Sequence, residues 1–177
     1  FNPARDLFIF NHTSHDTLDY TGRKLNHGSK AILMGVGEPV RELPRVYEGG
    51  DLPGIREIEP YCGGCLVISG SSFEQEPELA ARVLERLAAG EQEWPLVFIV
   101  DDAKEVVRSQ ASFLWTVFTR FNPATDMYAD SEVRLHHLNY KLPIVVDARM
   151  KPGYPDEVLP REDIVKLVDQ RWTSYFA

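Results

Sequence analysis

Residues 96–126 read LVFIVDDAKEVVRSQASFLWTVFTRFNPATD. Five apolar residues, mostly β-branched or aromatic, end in two aspartates, a pattern that suits a central strand buried on both faces. Asp101 and Asp102 then open a helix, because carboxylates at a helix N-terminus accept from its free N–H groups and oppose its dipole. Val107, Ala111, Leu114, Phe118 and Phe121 recur at helical spacing, which predicts one apolar stripe facing the core. Asn122-Pro123 stops that helix, since proline drives the residue before it out of the α region.

Working outward, residues 65–69 (CLVIS) form a short apolar strand. Ser72-Phe73-Glu74-Gln75 has capping-box spacing. The helix after it places Leu79, Val83, Leu84 and Leu87 on one face and ends at Gly90. Downstream, residues 133–138 and 142–147 read as strands, residues 151–155 as a turn, and residues 162–175 as a last helix with Ile164, Leu167, Val168 and Trp172 inward. Upstream, residues 7–11 (LFIFN) and 30–36 (KAILMGV) are strands around a polar loop. Residues 37–60, punctuated by Pro39, Pro44, Pro53 and Pro60, read as an ordered linker or extended arm. The element order predicts an α/β fold, a layered sheet flanked by helices.

Composition narrows the function. The net charge of -8, with Lys and Arg scattered, disfavours nucleic acid. No apolar run approaches the roughly 20 residues that span a bilayer. Two cysteines are too few for a disulfide scaffold, so a cytoplasmic chain is the default. The sequon at Asn11-His12-Thr13 matters only in a secreted protein and reads as chance. The chain begins at Phe1 rather than Met, and a missing upstream segment is expected.

An internal repeat supports that expectation. Phe1-Asn2-Pro3-Ala4-Arg5-Asp6 resembles Phe121-Asn122-Pro123-Ala124-Thr125-Asp126, and each is followed by a strand, a polar stretch and a second strand. A strand and a long helix precede the second copy. The first copy has no such front half, and a lone strand pair cannot bury its faces.

These segments resemble a family. The run LVFIVDD at 96–102, then Leu114-Trp115, then Thr119-Arg120 and the Asn122-Pro123 turn, is similar to the C-terminal domain of UbiD-type decarboxylases. So are Pro3-Ala4-Arg5-Asp6, Asp16-Thr17-Leu18-Asp19-Tyr20 and Gly28-Ser29-Lys30. The resemblance implies three regions: 1–36 as the tail of a UbiD-like core domain, 37–60 as the linker, and 61–177 as an appended α/β domain. It further implies a carboxy-lyase that uses prenylated FMN, with a divalent metal and potassium, to add or remove CO2 on an aromatic acid, and that assembles as a homo-oligomer. The family's glutamate-arginine-glutamate set and its Glu-Gly-Pro-Phe-Gly type of loop have no counterpart here. Ser69-Gly70-Ser71 stands where a lysine near the cofactor is expected. The cofactor site is therefore expected mainly outside this chain.

Several clusters remain open to more than one reading. Cys62 and Cys65 have C-x-x-C spacing. They read as a glycine-rich structural turn, half of a zinc site or a redox pair. His12, His15, Asp16 and Asp19 crowd the end of a strand, where α/β ligands bind, and can equally cap turns. By resemblance, Leu18 and Tyr20 face the substrate side of a pocket, and His15 and Asp19, from the titratable cluster, join them as substrate-pocket candidates. Asp101 and Asp102 read as helix caps before they read as magnesium ligands. Asp147, Arg149 and Lys151 read as an ion-pair network before an anion site. Trp115 and Trp172 are expected in the core or in a contact between protomers. The leading expectation is the C-terminal region of a UbiD-like carboxy-lyase, contributing oligomerisation and a pocket wall. The rivals are a non-catalytic binding or assembly module and a small metal-dependent hydrolase.

Overall fold

A computed structural model describes residues 2–14, 21, 24–39, 41–90, 94–155 and 160–176. In chain order the elements are α1 (Pro3–Asp6), β1 (Leu7–Thr13), β2 (Gly28–Leu33), β3 (Ile55–Cys62), β4 (Cys65–Gly70), α2 (Leu79–Ala88) and β5 (Leu96–Val100). Then come α3 (Ala103–Val107), α4 (Gln110–Thr119), β6 (Met127–Tyr128), β7 (Ser131–Arg134), β8 (His137–Tyr140), β9 (Ile144–Asp147), α5 (Glu162–Arg171) and a 3-10 turn (Trp172–Tyr175).

The three apolar runs become the neighbouring parallel strands β4, β5 and β9, and β3 and β6 pair antiparallel at the sheet's two edges. Alternate residues of these strands feed two cores. Val67, Phe98, Val100, Ile144 and Val146 pack with Val106, Phe113, Val117 and Phe121 on one face. Leu66, Ile68, Val97, Ile99 and Val145 pack with Leu79, Val83, Leu87 and Trp94 on the other. Burial on both faces is why these strands read as unbroken apolar runs. Each such side chain contributes about 1.5–3 kcal/mol by leaving water.

The structure corrects four local readings. β3 begins at Ile55, inside the stretch read as a linker, because its pairing with β4 outweighs a composition that suggests an arm. Residues 133–138 are not one strand but span the end of β7, a two-residue turn and the start of β8 in a separate hairpin. Leu135 (φ 50) and His136 (φ 66) take the left-handed conformations of a two-residue hairpin turn.

The helix after Asp102 is also two helices. Asp102 caps α3 by accepting from Glu105 N at 2.9 Å, and Ser109 caps α4 by accepting from Ser112 N at 3.0 Å. The break re-aims the buried face onto Val106, Phe113, Thr116 and Val117, and leaves Leu114 (46%), Trp115 (62%) and Phe118 (52%) exposed. Finally, no residue of α5 is buried, and Trp172 of the turn after it is 57% exposed. The inward face predicted for that helix meets no core within the described residues.

The internal repeat is a structural one. Asn2 Oδ1 accepts from Ala4 N, and Asn122 Oδ1 from Ala124 N, both at 3.0 Å. Asp6 Oδ2 takes the Asn2 N–H at 2.8 Å, as Asp126 Oδ2 takes the Asn122 N–H at 2.7 Å. Asp6 N and Asp126 N donate to the carbonyls of Asn2 and Asn122 at 2.7 and 2.9 Å. The Asp6 carbonyl then accepts from Met34 N at 2.8 Å, and the Asp126 carbonyl from Asp147 N at 2.9 Å. The loop therefore sets the strand register that follows it. Hydrogen bonding from Arg5 and from the Asn2 amide lowers the Asp6 carboxyl to about 2. The two units also touch: Ser29 Oγ of β2 donates to Asn122 Oδ1 and accepts from Ala124 N.

The break at Ser109 makes neighbouring residues opposite in effect. Phe113→Ala is expected to destabilise the chain by about 3–5 kcal/mol in urea unfolding. Leu114→Ala should stay within about 0.5 kcal/mol. The reverse order would restore the single-stripe helix.

Candidate functional site

Ligands of α/β sheets bind beyond the carboxyl ends of the parallel strands. Here β4 ends at Ser69-Gly70, β5 runs into Asp101, and β9 ends at Asp147. Arg149, two residues beyond Asp147, has no exposed surface. Its Nε donates to Asp147 Oδ1 at 2.9 Å and its Nη2 to Oδ2 at 2.7 Å. Its Nη1 donates to the carbonyls of Ser71 (2.8 Å) and Glu76 (3.1 Å). This one side chain ties the end of β9 to the loop after β4.

The neighbouring charges are used in the same way. Lys151 Nζ donates to the carbonyls of Asp147 (2.7 Å) and Arg120 (3.1 Å) and lies 3.2 Å from Asp126 Oδ2. Asp101 Oδ2 accepts from Met150 N at 2.9 Å and from Arg120 Nη1 at 3.2 Å. Glu57 accepts from Ser69 Oγ at 2.6 Å and pairs with Lys104 at 3.2 Å, and these two partners hold its carboxyl below the usual range. The Phe73 ring covers Arg149 and Lys151 at 5.3 and 5.5 Å. A Cβ at Gly70 would lie 2.1 Å from the Gly54 carbonyl oxygen, so the chain itself closes over the end of β4.

The ion-pair reading of Asp147, Arg149 and Lys151 is the one the geometry supports. Of the buried side-chain nitrogen and oxygen atoms among the described residues, Thr13 Oγ1 alone lacks a partner. It lies at the end of β1, not on this edge. At this edge the charged side chains are committed to one another and to backbone groups, so the described residues there do not fit a flavin phosphate. Sequence reasoning missed Glu57, which lies in the stretch read as a linker, and Phe73, which lies within the capping box. That box does form, with Ser72 N to Gln75 Oε1 at 3.2 Å and Gln75 N to Ser72 Oγ at 3.3 Å, but it shapes a turn ahead of α2.

The other candidates are dispersed. His15, Leu18, Asp19 and Tyr20 lie outside the described residues. Of their neighbours, His12 adopts φ 55 and meets the His27 ring edge-on at 5.7 Å. His136 and His137 lie at the β7–β8 turn, and both are exposed. Cys62 and Cys65 face each other across the turn at Gly63-Gly64. Gly64 has φ 76, and a Cβ there would lie 2.7 Å from the Leu43 side chain. Burial, then the neighbouring Cys62, raises the Cys65 thiol. Among the described residues no three His, Cys, Asp or Glu side chains gather as a metal site. A cleft of about 610 Å³ is lined by Pro39, Arg41, Glu42, Leu43, Arg45 and Gly63. It opens at the amino end of β4, away from the edge where α/β ligands bind.

Fold and motifs together define a UbiD-type C-terminal domain. The profile of the 3-octaprenyl-4-hydroxybenzoate carboxy-lyase C-terminal domain matches residues 42–148, and the chain belongs to that family. A Chlamydia pneumoniae protein, named as a subunit of 4-hydroxybenzoate decarboxylase, is 44% identical over 177 residues, which is 98% of this chain and 29% of the relative. An uncharacterized Chlamydia trachomatis protein is 45% identical over 176 residues, covering 99% of this chain and 30% of its own. The chain thus spans less than a third of the length of these relatives. Among solved structures, the UbiD-class enzyme HmfF from Pelotomaculum thermopropionicum in complex with FMN is similar at TM-score 0.46 and 20% identity, over 67% of this chain and 29% of that one. Vanillic acid decarboxylase from Sedimentibacter hydroxybenzoicus is similar at TM-score 0.44 and 16% identity, over 71% and 30%. No helix among the described residues is long and apolar enough to cross a membrane.

Two measurements check this edge and its neighbouring turn. Arg149→Met leaves Asp147 charged, buried and unpaired, and should cost about 3–5 kcal/mol in urea unfolding. Adding Asp147→Leu should recover part of that loss, but not all, because the carbonyls of Ser71 and Glu76 stay without their donor. In the folded chain, iodoacetamide at about pH 8 should modify exposed Cys62 and spare Cys65 until denaturant is added. Equal labelling of both, read by peptide mass, would contradict the buried thiol.

Proposed function

We propose that this chain is the C-terminal region of a UbiD-like carboxy-lyase that works in the cytoplasm on an aromatic carboxylic acid, or on CO2 and an aromatic substrate in the reverse direction. Family membership supports the carboxy-lyase reading, and the name of the Chlamydia pneumoniae relative supports an aromatic acid. The observation that carries the division of labour is the closed edge of the sheet. Its charged groups pair with each other, so chemistry belongs to another part of the protein. Prenylated FMN, with a divalent metal and potassium, is bound mainly outside this chain.

The chain's own work is packing. Leu114, Trp115 and Phe118 on α4, and Ile164, Val165, Leu167, Trp172 and Phe176 at the C-terminus, are exposed apolar residues of the kind that oligomer contacts bury. A homo-oligomer formed through them is part of the proposal. His15, Leu18, Asp19 and Tyr20 are the proposed contributors to one wall of the substrate pocket. Taken alone, the closed edge also favours a second reading, a non-catalytic binding or assembly module.

The test compares the 177-residue chain with the native gene product, each produced together with prenylated flavin. The native product is expected to retain flavin absorbance and to release CO2 from an aromatic acid, and the chain alone to do neither. Tyr20→Ala in the native product should lower turnover with flavin retained. Stoichiometric flavin on the isolated chain would overturn the division of labour. A native product that never takes flavin would hand the lead to the assembly module.

A further inference from the structure

β2 pairs with β1 along one edge, and no described strand pairs with its other edge. We propose that this open edge receives a parallel strand, preceded by a helix that covers the apolar face of the β1–β2 hairpin. Both would come from the length of polypeptide that the relatives have and this chain does not span. Residues 2–33 would then be the closing hairpin of a second sheet built on the plan of residues 79–147.

The register of the repeat carries this assignment. In the second unit Asp147 N donates to the Asp126 carbonyl at 2.9 Å, while Ile144 N and Ala148 N donate the other way, to the carbonyls of Pro95 (2.9 Å) and Ile99 (2.8 Å). Amides of β9 thus alternate between β6 and β5. In the first unit Met34 N donates to the Asp6 carbonyl at 2.8 Å, and Leu7 faces Leu33 as Met127 faces Val146. Met34 is therefore the counterpart of Asp147. By the alternation of an antiparallel ladder, Lys30 and Ile32 donate toward β1, and the amides of Ala31, Leu33 and Gly35 point outward. Their counterparts are Ile144, Val146 and Ala148, the positions whose amides β5 accepts. A row of outward amides along a strand edge is a pairing surface, and the repeat points to a parallel partner.

The exposed face of the hairpin agrees. Phe8 (43%), Phe10 (50%), Ile32 (49%) and Met34 (41%) line it. Phe8 faces Ile32 as Tyr128 faces Val145. Val145 has no exposed surface and packs in the core beneath α2, with Tyr128 against it. The face that α2 covers in the second unit is bare in the first. The missing helix is thus the counterpart of α2 and the missing strand the counterpart of β5.

Residue-resolved amide exchange on the native gene product tests this, with a readout independent of flavin, so it can fail while the functional reading stands. The amides of Ala31, Leu33 and Gly35 should be slowed at least about a hundredfold from the unprotected rate, as paired strands are. Their exchange at the unprotected rate, with Lys30 and Ile32 protected, would overturn the proposal. So would protection that vanishes on dilution to the monomer, which would assign the edge to a second copy. An intact mass of 20.1 kDa, that of this chain itself, would leave no strand to add and would also overturn it.

Discussion

Arg149 holds a full positive charge where no water reaches it, and Asp147 opposite is equally dry. An unpaired charge at that depth is untenable, so the two must meet. Their fork-to-fork contact leaves one guanidinium nitrogen over, and it goes to the carbonyls of Ser71 and Glu76. This constraint links three things that sequence places far apart: the end of β9, the loop leaving β4, and the approach to α2. It also consumes the place where a sheet of this type ordinarily offers itself to a ligand. Lys151, Asp101 and Arg120 extend the same closure to the end of β5.

The second organising device is the Asn-Pro-Ala-x-Asp loop, used twice. Its asparagine and aspartate side chains satisfy the loop's own amides, and its last carbonyl starts the ladder to a returning strand. Nothing in the loop depends on what lies beyond that strand. The unit can therefore form its local bonds at residues 2–6 as it does at residues 122–126, although the second adjoins a five-stranded sheet and the first a hairpin with no further described strand. The contact of Ser29 with the second loop holds the two units against each other.

Much of the finished sheet was legible in the sequence because burial on both faces leaves little choice of residue. The runs at 65–69, 96–100 and 142–147 are apolar at successive positions, and no exposed strand needs that. The failures share a different cause. Ser109 is both an ordinary surface residue and a good N-cap, so a helix that stops and restarts there has the same composition as one that continues. The periodicity across 107–121 then selects a face of which only the two ends, Val107 and Phe121, meet the core, and Phe113 replaces Leu114 there. For α5 the apolar spacing marks a helix, but periodicity says that a face will be covered, not by what. The closed edge was half legible: Asp147, Arg149 and Lys151 stood out, but Glu57 lay in a stretch whose prolines suggested an arm.

These two devices pull the chain in opposite directions. At the sheet's carboxyl edge, polar groups are turned inward and satisfied, and that region presents little to a small molecule. On α4, on α5 and along β1 and β2, apolar side chains are turned outward and left bare. A fold that closes its polar edge and opens its apolar faces is suited to being covered by other protein. The surfaces are also distinct in kind. On the strand-addition proposal the β2 edge offers directional backbone donors, which a further strand satisfies. The faces of α4 and α5 offer apolar area without direction, of the kind that contacts between proteins bury. Under the two proposals, strand addition at β2 and association of protomers through α4 and α5 would be separate demands on this chain, met by different residues.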